Sequence, residues 1–247
     1  MKTITLDELV AKASLQTRVD RKYIVPRGQV AALLSALDSS AQVLEIDGVQ
    51  SFGYESVYFD TPDLLSFYGA AHKRRRRFKV RTRTYTDSGD CYLEVKTEGA
   101  RAATVKERLE HADSPDAIGP EGVAYARSVL EEAGIHADVS DLNPVLSTRY
   151  RRRTLYIPGS QSRATIDTSL EWALYDGERI QMHDHAIVET KSGSTASSVD
   201  RLLWSAGHRP SSISKYATGM AALRPDLPSN KWAPILRHHF LAERAAS

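Results

Sequence analysis

The 247-residue sequence has a single cysteine and no long apolar segment. Cys91 has no partner for a disulfide within the chain, and the absence of paired cysteines argues against a structural zinc site. No apolar run approaches the roughly 20 residues that cross a bilayer, and the N-terminus lacks the apolar core of a secretory signal. We therefore expect a soluble, cytoplasmic protein.

Charge of one sign is not in excess either. The chain has 33 lysines and arginines against 31 aspartates and glutamates, a formal net charge of +2, so bulk charge does not indicate a nucleic-acid partner. The sequence also lacks a Gly-x-x-x-x-Gly-Lys loop and a kinase signature, which excludes a phosphate site of the P-loop type. Apolar residues make up 41% of the chain, which is enough for a substantial core.

What the sequence does have is charge at every second position of segments that are typical of β-strands. Successive strand side chains point to opposite faces, so residues spaced by two share a face. An interior lined by both signs must be wet or filled by a charged ligand, because unpaired charges are costly to bury. Many cations with a few carboxylates indicate a polyanion bound with a divalent metal. The clearest examples are Lys79, Arg81 and Arg83; Glu94 and Lys96; Glu189 and Lys191.

The order of elements predicts an α+β protein. Eight or so strands with few long interruptions favour an eight-stranded antiparallel β-barrel with helices packed outside. We expect an N-terminal arm over residues 1–14, a single domain over 15–224 and a C-terminal tail over 225–247.

Nine short motifs follow one another in a defined order along the chain. They are Arg21–Tyr23, Tyr58–Pro62, Lys79–Tyr85, Leu93–Lys96, Val105–Arg108, Asn143–Arg152, Arg163–Thr168, Glu189–Lys191 and Ser214–Tyr216. The ordered set resembles the vacuolar transporter chaperone (VTC) catalytic domain over roughly residues 15–223. This domain is the polyphosphate polymerase branch of the triphosphate tunnel metalloenzymes, the CYTH-like superfamily.

The resemblance implies a tunnel of eight antiparallel strands whose basic lining holds ATP and polyphosphate or triphosphate. It implies a divalent metal, Mn²⁺ or Mg²⁺, on a carboxylate, and transfer of the γ-phosphate of ATP to a growing polyphosphate chain. The residues that match the family's catalytic positions are Arg81, Arg83, Lys96, Arg152 and Arg163. Those that match phosphate-binding or nucleotide-binding positions are Lys22, Lys79, Lys106 and Lys215. Glu189 matches the metal carboxylate, and Glu94 is a second metal candidate.

Several alternatives stay open at the level of sequence. Glu94 and Asp167 could each bind a metal or hold a neighbouring arginine, and Asp20 stands where many relatives carry glutamate. The same cationic lining would serve an inorganic triphosphatase, a nucleoside triphosphatase or a non-catalytic polyphosphate-binding module. The run His72–Lys79 could be a nucleic-acid patch, but we expect a solvated loop and no nucleic-acid partner. The sequence does not fix the oligomeric state or recruitment by a separate membrane protein.

Overall fold

The computed structural model describes residues 1–12, 19–98 and 104–240. The predicted boundary between residues 14 and 15, and the end of the tail after residue 240, lie outside this range. The strands are β1 Lys2–Ile4, β2 Val19–Pro26, β3 Gln42–Leu44, β4 Phe52–Asp60, β5 Arg77–Tyr85, β6 Cys91–Glu98, β7 Thr104–Glu110, β8 Asn143–Ile157, β9 Ser162–Leu174, β10 Arg179–Met182 and β11 His185–Ser192. The α-helices are α1 Leu6–Lys12, α2 Val30–Ser35, α3 Leu65–Ala71, α4 Pro120–Glu132, α5 Ser198–Ser205, α6 Lys215–Leu223 and α7 Ala233–His239.

The strands form one largely antiparallel sheet, which confirms the predicted α+β class. Its main path runs β2-β11-β9-β8-β4-β5-β6-β7, while β1 and β3 pair in parallel, β3 also pairs with β8, and β10 pairs with β9. The sheet is larger than the predicted eight strands and, in the part of the chain described, open. No helix of the described ranges is long and apolar enough to cross a membrane.

Contacts divide the chain into two compact units. The first unit contains Met1–Gly53, Tyr150–Leu170 and Gln181–Ile213. Its core is built from alternate positions of β2, β9 and β11, which pack against apolar residues of α2 and α5. The N-terminal segment also contributes, since Ile4 of β1 and Leu9 of α1 are both 2% exposed.

The second unit contains Tyr54–Arg149, Glu171–Ile180 and Ser214–Ser247. Its core comprises alternate residues of β4, β5 and β6 and the apolar side of α4. Gly219 of α6 lies against Trp172, and a Cβ at this position would overlap the indole. The indole Nε1 in turn donates to the Lys215 carbonyl at 2.8 Å, which fixes the start of α6.

In each unit, the strand face opposite the apolar core carries the charges. Val188 and Ile166 belong to the core of the first unit, while their neighbours Glu189 and Thr165 point the other way. In the second unit, Val80 and Val95 belong to the core, and their neighbours Arg81 and Glu94 point to the opposite face. The period-two charge pattern therefore does mark one face of the sheet, because the helices cover the other.

Candidate functional site

The charged face of the second unit contains a row of three lysines. Lys96 of β6 lies directly opposite Lys79 of β5 on one side and Lys106 of β7 on the other. Like charges directly opposite one another destabilise a sheet. An anion that contacts the row would remove this repulsion, so the register itself favours an anionic ligand. Lys79 Nζ also donates to Ser214 Oγ at 3.1 Å, beside the N-terminus of α6.

The next row on this face is organised around one buried carboxylate, Glu94. Arg81 donates through Nε and Nη2 to Glu94 Oε2 at 2.8 and 2.6 Å, and its Nη1 donates to Tyr58 Oη at 2.9 Å. The other oxygen, Oε1, lies 2.6 Å from Lys106 Nζ and 3.7 Å from Arg83 Nη1. Burial alone would raise the pKa of Glu94, but these three cations outweigh burial and hold the pKa far below its ordinary value. One carboxylate therefore orients three cations.

Two polar atoms close to this row are buried without a hydrogen-bond partner among the described residues. They are Arg83 Nε and Ser56 Oγ, which belong to residues paired in register across β4 and β5. Leaving a buried polar group unsatisfied costs about 1–3 kcal/mol. Both atoms are suited to a ligand or water that enters this face.

An aromatic contact links the start of α6 to Arg81. Tyr216 stacks on Tyr58 with ring centroids 5.1 Å apart, and its hydroxyl donates to Asp60. Asp60 is fully buried and also accepts the backbone N–H groups of Ser66 and Phe67, each at 2.9 Å. Burial and the neighbouring carboxylate raise the pKa of Tyr216 well above its ordinary value, so it stays a hydrogen-bond donor. Sequence reasoning placed Asp60 and Tyr216 within two of the ordered motifs but gave neither residue a role, because Thr61-Pro62-Asp63 indicates an ordinary helix start.

The charged face of the first unit is built from alternating acids and bases. Glu189 of β11 lies opposite Lys22 of β2, and Lys191 lies opposite Asp20 and Arg163. Lys22 Nζ is 3.6 Å from Glu189 Oε1, and Lys191 Nζ contacts the same oxygen as well as Asp20 Oδ2 at 3.3 Å. Burial would raise the pKa of Glu189, but Lys22, Lys191 and Arg152 hold it well below the ordinary value. The carboxylate is therefore ionised at neutral pH.

Arg152 forms a bidentate pair with Asp167. Its Nε and Nη2 donate to Oδ1 and Oδ2 at 2.6 and 2.8 Å, and Asp167 is fully buried. Of the alternatives left open by the sequence, Asp167 thus holds an arginine, which is Arg152 of β8. The bidentate geometry fixes the guanidinium plane of Arg152, which preorganises it for a second anion.

The two charged faces differ in charge balance. The charged face around Glu189 in the first unit contains four cations and three carboxylates. They are Lys22, Arg152, Arg163 and Lys191 with Asp20, Asp167 and Glu189. In the second unit, the residues directly opposite one another on β5, β6 and β7 form three rows that start at Lys79, Arg81 and Arg83. These rows contain six cations and only two carboxylates, Glu94 and Glu110.

The family model for the VTC domain matches residues 17–224. The chain belongs to the VTC domain family. This match confirms the resemblance that the ordered motifs indicated.

Solved structures with a similar fold include three of different origin. A proposed adenylate cyclase from Vibrio parahaemolyticus is 16% identical, with a TM-score of 0.45, 83% of this chain covered and 98% of that chain. A proposed adenylyl cyclase from Hippeastrum with a dominant triphosphatase activity is 18% identical, with a TM-score of 0.48; the match covers 87% of this chain and 100% of that chain. The PH1012 protein from Pyrococcus horikoshii is 13% identical, with a TM-score of 0.41; the match covers 77% of this chain and 88% of that chain. No relative among the curated proteins matches the chain.

Within the VTC domain, the residues singled out from the sequence fall into the two units. The second unit brings together Lys79, Arg81, Arg83, Glu94, Lys96 and Lys106 on one face, with Lys215 as the first residue of α6. The first unit brings together Lys22, Arg152, Arg163 and Glu189. Lys191, which contacts Glu189, was recognised only as part of the alternating pattern.

The two metal candidates of the VTC domain differ in how their oxygens are engaged. Glu94 is 1% exposed and both of its oxygens contact cations. The Glu189 side chain is 15% exposed, and both lysines make their shortest contact with the same oxygen, Oε1, so Oε2 is the oxygen better placed for another ligand. In the described ranges, no three Asp, Glu, His or Cys residues cluster as a complete metal site. Glu189 therefore fits a divalent ion that takes its other ligands from water and phosphate, as Mg²⁺ commonly does.

Proposed function

We propose that this VTC domain protein is a metal-dependent polyphosphate polymerase, a phosphotransferase that moves the γ-phosphate of ATP onto a growing polyphosphate chain. The lysine row of Lys79, Lys96 and Lys106 carries the proposal, because three directly opposed cations match a ligand with closely repeated negative charge. Family membership supports the same reading.

Phosphoryl transfer requires little covalent chemistry from the protein. It requires positioning of the phosphates and neutralisation of charge on the transferring group. In the second unit we assign this role to Arg81, Arg83 and Lys96, and we assign phosphate binding to Lys79, Lys106 and Lys215. Glu94 holds Arg81 and Lys106 in place, and we do not retain it as a metal ligand.

In the first unit we assign charge neutralisation to Arg152 and Arg163 and phosphate binding to Lys22. Glu189 would hold the divalent ion, Mn²⁺ or Mg²⁺, which when bound neutralises phosphate charge. A Glu189→Gln variant should lose metal-dependent turnover, since an amide cannot supply the anionic oxygen. Full metal-dependent turnover in this variant would remove Glu189 from the metal site.

No side-chain base is part of the proposal, because the terminal phosphate of the acceptor chain is already an anionic nucleophile. The direct test is incubation of the purified protein with ATP and Mn²⁺, followed by measurement of ADP, free phosphate and long-chain polyphosphate together. ADP with polymer supports the polymerase, and free phosphate without polymer would instead indicate a triphosphatase. Binding of polyphosphate without either product would indicate a binding module.

A variant in the lysine row tests whether this row takes part in the reaction. Lys96→Gln removes the middle charge of the row and should abolish polymer formation. Arg179→Gln, which removes one charge from an exposed position of β10, should leave it unchanged. Equal activity of the two variants would show that the row does not contribute to the reaction.

A further inference from the structure

The most cationic exposed segment of the second unit is the stretch Lys73–Arg76, here called the basic loop. It follows α3, and all four of its side chains belong to exposed residues. Within the described ranges none of the four forms an ion pair. A local excess of cations of this kind attracts polyanions from solution.

The basic loop is held in a defined position next to β5. The Arg74 N–H donates to the Gly69 carbonyl at 2.9 Å, and Arg77 Nη1 donates to the Arg74 carbonyl at 2.8 Å. Gly69 allows α3 to approach β5 closely, since a Cβ there would lie 3.3 Å from Arg77 Cβ. The loop is therefore a continuation of the strand surface and not a detached tail.

The side chains of β5 extend from the basic loop to the lysine row. Arg77 is the first residue of β5 and shares a face with Lys79, Arg81 and Arg83. Strand residues spaced by two are about 7 Å apart along the strand, so this face of β5 presents a cation at each such step. The line of cations thus runs from Arg83 to the loop without a break.

One further cation packs beside the loop. Lys231 Nζ donates to the Ala70 carbonyl at 2.7 Å, and its burial together with the charges of Arg77 and Lys73 lowers its pKa. Among the described residues, the carboxylate that pairs with a cation here is Glu98, which contacts Arg77. The surface formed by the loop and Lys231 therefore keeps a cation excess.

We infer that the basic loop is a second binding surface for the phosphate polymer, which holds the part of a chain that extends beyond the lysine row. This inference rests on the proposed function and specifies where its long product or primer lies. The distance from Arg81 to Arg77 alone is about 13 Å, which is more than one triphosphate covers. A nucleic acid fits the surface less well, because aromatic residues do not alternate with its cations.

The test compares a short and a long ligand on one variant. A triple variant with Arg74, Arg75 and Arg76 changed to Gln should bind long-chain polyphosphate about tenfold more weakly and with a shallower salt dependence. Its affinity for tripolyphosphate should stay within about twofold of the original protein. The matched control changes Arg27, Arg127 and Arg179 to Gln, which removes three exposed charges elsewhere, and should leave both affinities unchanged.

Three results would overturn the inference. Unchanged long-chain affinity in the triple variant would show that the loop is only solvated, and equal losses for both ligands would show a general electrostatic effect. Loss of binding to an RNA oligonucleotide alone would reassign the loop to nucleic acid. Failure of the proposed function would give a different result. The protein would then form neither ADP nor polymer but would still bind the long chain through the loop.

Discussion

Replacing Glu94 with glutamine tests whether one carboxylate holds the cationic face of the second unit together. The substitution keeps the shape of the side chain and removes the charge that Arg81, Arg83 and Lys106 share. These cations then face one another without a counter-ion. We expect a loss of stability that a phosphate ligand partly restores.

The magnitude follows from the burial of the partners. Removing one member of a buried ion pair costs about 3–5 kcal/mol. The side chains of Arg81 and Arg83 are 10% exposed, but that of Lys106 is 36% exposed and remains partly hydrated. We therefore expect the free energy of unfolding to fall by about 3 kcal/mol, the lower end of that range.

The pH dependence has a defined sign. The folded protein holds the pKa of Glu94 below its ordinary value, so its stabilising contribution is present above the ordinary pKa near 4.3 and is lost as the pH falls below it. The Glu94→Gln variant lacks this titration. Its stability should therefore fall less steeply than that of the original protein between neutral and acidic pH.

The assay is urea unfolding at several pH values, with and without tripolyphosphate. The control is Glu107→Gln on β7, which lies on the opposite face and makes no ion pair among the described residues. Tripolyphosphate should stabilise Glu94→Gln more than the control, because the ligand replaces the missing negative charge. The reasoning is refuted if both variants lose the same stability, or if Glu94→Gln loses less than about 1 kcal/mol.

Three further substitutions test other parts of the structure. Lys191→Met removes the ammonium between Asp20 and Glu189, so Mn²⁺ binding without phosphate, measured by calorimetry, should tighten about tenfold; weaker binding would contradict this. Gly219→Ala should lower the free energy of unfolding by about 1–3 kcal/mol, because its methyl group overlaps Trp172; an unchanged unfolding midpoint would contradict the packing. Asp167→Asn should lower it by about 3 kcal/mol, because it removes the buried carboxylate charge that pairs with Arg152; an unchanged urea unfolding midpoint would contradict this.

The sequence predicted which residues share a face because that property is local. Strand parity alone places Lys79, Arg81 and Arg83 together, and the structure agrees. Lys79, Lys96 and Lys106 lie opposite one another because of the register in which β5, β6 and β7 pair. The spacing of charges within one strand does not determine how that strand is aligned with its neighbours. The same reason explains why Asp167 was not matched to Arg152, since their contact joins β8 to β9.

The pattern of residues along the sequence also does not show the number of strands or the two compact units. Strands β1, β3 and β10 have only three or four residues, too few to show an alternation. Each unit is assembled from three separated stretches of the chain. Composition shifts along the chain cannot reveal a division of that kind, because neither unit is continuous in sequence.

A net charge of +2 for the whole chain conceals the distribution that the proposed chemistry needs. In the second unit the carboxylates are too few to neutralise the three rows, so the remaining cations favour a polyanion. In the first unit acids and bases nearly balance, and both lysines that pair with Glu189 make their shortest contact with the same oxygen. A near-neutral face with a partly exposed carboxylate suits a divalent ion better than a strongly cationic face, since cations repel the metal. The contrast between the faces therefore supports phosphate contacts in the second unit and metal binding at Glu189 in the first.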